Sequence, residues 1–130
     1  MDTLFKLNAE SEIRNLIALY AQNADDGDAV AFASRFTAEG TLSVGGQAFV
    51  GRPAIQAWLP TTLQQGALRH FMMNIYLAVD TRDTARCSLD MLLLKKMDGE
   101  WKLRMTSRYE DRLVHTDAGW LFAQRNIQIR

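Results

Sequence analysis

The sequence predicts a single α+β domain, with three N-terminal helices packed on a curled, mostly antiparallel sheet around an apolar pocket. Three observations predict it. Apolar residues recur at helical spacing up to Leu59, and they alternate at strand spacing from His70 onward. No linker, internal repeat or Ser/Gly-rich tract divides residues 1–130. Helices segregated from strands in this way define the α+β class.

The elements follow in order. Ile13, Leu16, Ile17 and Tyr20 lie on one face of a first helix, which Asn8 or Ser11 can cap. Asp25-Asp26-Gly27-Asp28 interrupts it, since Gly and Asp favour turns. Asp28 can cap a second short helix running through Phe36. Thr41 to Val50 reads as a hairpin turning at Gly45-Gly46. Gly51-Arg52-Pro53 opens a third helix with Ile55, Trp58 and Leu59 as its stripe, ending at or before Gly66.

Alternation then takes over. His70, Met72, Asn74, Tyr76 and Ala78 share one face of a strand, and Phe71 to Val79 supply the other. A turn at Thr81-Arg82-Asp83 leads to a second strand, Ala85 to Met97. Asp98-Gly99 is a strong hairpin signal. Trp101 to Leu113, taken at every second residue, forms one face of the third strand, and parity leaves open which face points inward. Asp117-Ala118-Gly119 turns into a last strand, Trp120 to Ile129. The aromatics Trp58, Phe71, Tyr76, Trp101 and Trp120 are expected in the core.

Composition narrows the function classes. Of 130 residues, 48% are hydrophobic and 23% charged, as in a globular chain. Fifteen basic residues balance fifteen acidic ones, so neither nucleic acid nor an anionic membrane is the expected partner. No apolar run is long enough to span a bilayer, and the first residues lack a signal-peptide pattern, so a reducing, cytoplasmic setting is the expectation. A lone cysteine, Cys87, excludes a disulfide framework and reads as a structural thiol. Two distant histidines without metal-ligand spacing give no metal site, and no phosphate loop or serine elbow calls for a cofactor.

Five residues are candidates for chemistry. Asp25 stands where the first helix ends, five residues after Tyr20. Facing a pocket, its carboxylate can do acid or base work; facing solvent, it is turn and cap chemistry. His70 opens a strand and shares a face with Asn74. An imidazole beside a carboxylate makes a dyad that accepts and returns a proton. His115, near a turn, is expected in solvent. Arg125 lies on the final strand among apolar neighbours, either aimed at a polar group in the pocket or snorkelling from an edge.

The order and spacing of several motifs resemble the SnoaL-like domains of the nuclear transport factor 2-like superfamily. They are Ile13-x-x-Leu16-Ile17-x-x-Tyr20, Asp25-x-x-Asp28, Phe36-Thr37-x-Glu39-Gly40 and Gly51-x-x-x-Ile55. Arg69-His70-x-x-x-Asn74, Arg108-Tyr109-x-Asp111 and Asp117-x-Gly119-Trp120 with Arg125 complete the set. The resemblance implies a cone-shaped α+β barrel with an internal pocket, and a homodimer through the outer sheet face. It also implies an aspartate–histidine pair at Asp25 and His70, a tyrosine at Tyr20 and an arginine at Arg125, as in the family's eliminating enzymes. A second pocket histidine and a second tyrosine of the dehydratases have no counterpart here, in Leu89 to Lys95 and Thr41 to Val44 respectively.

The expected function is a cofactor-independent lyase of dehydratase type, or an isomerase, acting on a small, largely apolar cyclic molecule. Asp25 and His70 would be catalytic; Tyr20, Asn74 and Arg125 would bind substrate. The rival expectation is a non-catalytic ligand-binding or assembly domain of the same fold.

Overall fold

The computed structural model describes residues 1–62 and 66–130. Helix α1 spans Thr3–Asp26, and its stripe of Ala9, Ile13, Leu16, Ile17, Tyr20 and Ala24 is buried. It begins earlier than the sequence suggested. Asp2, rather than Asn8 or Ser11, is the cap, and its carboxylate accepts from the Phe5 amide at 2.8 Å. Gly27 ends the helix in the left-handed conformation (φ 70°), which places Asp25 in the last turn. Asp28 caps α2 (Ala29–Ser34) through the Ala31 amide. Phe36, expected in that helix, starts strand β1 (Phe36–Val44), which turns through Gly45-Gly46 into β2 (Gln47–Val50). Helix α3 runs over Arg52–Thr62; its expected end near Gly66 involves residues 63–65, outside the described residues.

The meander follows as β3 (Leu68–Val79), β4 (Thr84–Met97), β5 (Glu100–Thr116) and β6 (Gly119–Ile129). The six strands form one sheet in the order β2-β1-β6-β5-β4-β3, curled but not closed. Among the described residues only the β1–β6 pairing is parallel. The helices fill the concave side, where Tyr20, Phe32, Phe36 and Phe122 form an aromatic cluster with centroid separations of 4.6 to 6.2 Å. Trp58 joins it between Phe32 and Phe49.

Three bulges overturn the simple alternation. In β3 the register shifts between Met73 and Tyr76, with Asn74 in the left-handed region (φ 53°), which asparagine tolerates better than most residues. Leu68, His70 and Met72 therefore share the inner face with Ile75, Leu77 and Val79, while Asn74 and Tyr76 turn outward. In β5 a shift near Arg104 keeps Met105, Ser107, Tyr109, Asp111 and Leu113 inside but rotates Trp101 and Leu103 outward. In β6 a shift at Ala123 puts Phe122 and Arg125 on the same inner face. Of the five aromatics expected in the core, Trp120 is buried and Trp58 is half-buried. Phe71, Tyr76 and Trp101 are exposed, because the outer face of β3 and the rotated start of β5 have no layer over them.

Candidate active site

A carboxylate in the last turn of a helix meets the negative end of the helix dipole, so it needs donors from elsewhere. His70, near the start of β3, supplies them. Its backbone N–H donates to Asp25 Oδ1 at 2.9 Å and Oδ2 at 3.2 Å, and its ring Nδ1 lies 2.7 Å from Oδ1. One carboxylate thus holds both the backbone and the ring, which fixes the imidazole orientation. With Asp25 ionised, Nδ1 carries the proton and Nε2 keeps the free lone pair. The two side chains are 12% and 7% exposed, dry enough to strengthen the pair yet open to a ligand.

The dyad forms one end of a cavity of about 260 Å³ between α1 and β3. Ile17, Ala18, Ala21, Met72 and Ile75 give it apolar walls, and Gln22 and Arg14 supply further polar groups. Gln22 and Arg14 were not singled out in the sequence, although both lie on the helix face of Asp25 at steps of three and four residues. Met91 is buried in the core, whereas Met72 lines the cavity.

The three expected substrate ligands are not part of this cavity's lining. Asn74 faces outward because of the β3 bulge, and its amide donates to Asp90 Oδ2 at 2.9 Å. Asp90 also accepts from Arg108 Nε at 2.6 Å, and this bond chiefly holds its carboxyl below the usual range. Arg125 neither reaches substrate space nor snorkels. It is fully buried and makes a two-point contact with Asp111, Nε to Oδ1 at 2.8 Å and Nη2 to Oδ2 at 3.0 Å. Its guanidinium is stacked among Phe122, Tyr20 and Tyr109, 4.0 to 4.6 Å from their ring centroids. Tyr20 is sealed in the same cluster, where burial raises its hydroxyl above the ordinary tyrosine range despite the lowering pull of Arg125.

Burial likewise pushes the nearby Cys87 thiol up to about 12, so it is an inert structural thiol. His115 is exposed, as expected near its turn, with its ring stacked on Trp120 at 5.0 Å. Among the described residues no group of three or more His, Cys, Asp or Glu could hold a metal ion, and no helix is long and apolar enough to cross a membrane.

Residues 6–126 match the SnoaL-like domain family. The chain belongs to that family. No curated protein sequence matches it. Among solved structures, an NTF2-like protein with a cystatin-like fold from Novosphingobium aromaticivorans is similar at 28% identity and a TM-score of 0.88, over 97% of this chain and 84% of that one. A provisionally assigned scytalone dehydratase from Novosphingobium aromaticivorans DSM 12444 shares 20% identity, with a TM-score of 0.88 over 99% and 89%. A protein from Catenulispora acidiphila, solved in complex with S-DNPA, shares 21% identity, with a TM-score of 0.81 over 92% of each chain. The last two likenesses establish the fold of this SnoaL-like domain, not its chemistry.

Proposed function

We propose that this SnoaL-like domain is a cofactor-independent lyase of dehydratase type, or an isomerase, for a small, largely apolar cyclic substrate. The observation that carries the reading is the 2.7 Å contact between Asp25 and His70 at the wall of an apolar cavity. His70 Nε2 takes a proton from a carbon made acidic by a neighbouring carbonyl, and Asp25 stabilises the imidazolium that forms. In dehydration the electron pair of the broken C–H bond forms the new double bond. The hydroxyl then leaves as water with the proton returned by His70. In isomerisation the proton returns to another carbon. Gln22, on the cavity wall, is the group placed to hydrogen-bond the substrate oxygen. Tyr20, Asn74 and Arg125 have no part in these steps, because their placement denies them the substrate.

The test is a panel of cyclic β-hydroxy ketones and β,γ-unsaturated ketones, followed by the absorbance of the conjugated enone. The wild type is expected to form enone, and His70→Gln to lose about 10²- to 10⁴-fold in rate. No enone from any member, together with no deuterium exchange at the carbons beside the carbonyl, would leave the domain a binding module.

A second reading concerns assembly and is compatible with the first. Phe71, Tyr76, Trp101 and Leu103 are 42% to 68% exposed on the outer sheet face, and large apolar side chains grouped on one face mark interaction surfaces. We propose that this face joins two copies of the chain. Sedimentation should give a dimer for the wild type and a monomer for Tyr76→Glu combined with Leu103→Lys. A wild-type monomer at micromolar concentration would remove the proposal.

A further inference from the structure

The cavity beside the dyad is a trough with a charge at its far end. Helix α1 runs antiparallel to β3, since Asp25 meets His70 at one end while Phe5 packs under Arg82 of the β3–β4 turn at the other. A rise of about 1.5 Å per helical residue puts roughly 16 Å between Asp25 and Arg14. A rise of about 3.3 Å per strand residue gives the opposite wall, His70 to Ile75, much the same length. Between the ends the trough is lined by Ile17, Ala18, Ala21, Met72 and Ile75.

Among the described residues the Arg14 side chain has no ion pair and no hydrogen bond. Arg14 lines the trough from an exposed position on α1, the lining residue of that helix farthest along the chain from Asp25. A cation without a counter-ion at the end of an apolar trough favours an anionic group there, and a guanidinium matches a carboxylate's two oxygens.

We infer that the substrate is an elongated molecule carrying a carboxylate at the end remote from the reacting carbon, and that Arg14 pairs with it. This rests on the trough being the substrate site. The reacting ring lies against His70, its apolar body covers Ala18 and Ala21, and its carboxylate meets Arg14.

The experiment compares phenylhexanoate with its uncharged primary amide, followed by calorimetry and by the resonances of His70 and Ile17. The carboxylate is expected to bind the wild type about fivefold tighter than the amide at low salt, with the gap closing as salt screens the pair. Arg14→Gln should abolish the preference, so that the carboxylate and the amide bind that variant equally; this substitution sits on an exposed helix position and spares the core. Equal affinity in the wild type, a preference that survives Arg14→Gln, or no perturbation of either resonance at millimolar probe each overturns the inference. Enone formation reports separately on the dyad. Its absence with the carboxylate preference intact overturns proton transfer alone, and its presence with the preference lost overturns the role of Arg14 alone.

Discussion

Asp25→Asn is expected to reduce turnover by about 10²- to 10⁴-fold while the protein stays folded. The reason is tautomeric. Asp25 accepts from both the ring Nδ1 and the backbone N–H of His70. An asparagine turns one of the two oxygens into an NH2, which must face either the backbone N–H from which both oxygens now accept or the ring Nδ1 from which Oδ1 accepts. If the remaining oxygen keeps the backbone N–H, the amide NH2 faces Nδ1 and drives the ring proton to Nε2, the nitrogen that must be free to accept a proton. Imidazole nitrogen NMR checks this directly. The wild type should show the proton on Nδ1, and Asp25→Asn should show it moved to Nε2. An unchanged tautomer with an unchanged rate would mean that the carboxylate serves only to anchor the start of β3.

The second large effect is on stability. Asp111→Ala should cost about 3–5 kcal/mol in a urea titration, because it leaves the Arg125 guanidinium buried with no carboxylate. Desolvation raises the Asp111 carboxyl above its usual range, even against the opposing pull of Arg125, so removing this pair from water is expensive. Replacing both partners together, Asp111→Leu with Arg125→Met, should recover most of the loss. A double variant as unstable as the single one would show that the guanidinium's contacts with Tyr20, Tyr109 and Phe122 carry the stability instead.

Whether such partners could be read from the sequence depended on how regular the intervening structure was. The order of elements was legible because Ile13 to Tyr20 keep a helical period and Asp98-Gly99 marks a tight turn. Asp25 and His70 were legible only as separate candidates, since 45 positions separate them and no local pattern links them. The Asp111–Arg125 pair was hidden for a different reason. Counting back from the Thr116–Gly119 turn pairs Asp111 with Gln124, and only the extra residue at Ala123 brings Arg125 opposite. The same effect moved Asn74 away from His70. A two-residue period carries no memory of an inserted residue, so one bulge reverses every assignment beyond it.

Apolar periodicity, turn residues and balanced charge by themselves determined a single α+β chain with helices first and a meander after, because those features act over a few neighbouring residues. The tertiary structure alone decided which side of each strand faces inward and that Arg125 is locked in the core. It also decided that Arg14 and Gln22 share a trough with the dyad. These outcomes depend on bulges and on the packing of α1 against β3, which no single stretch of sequence contains.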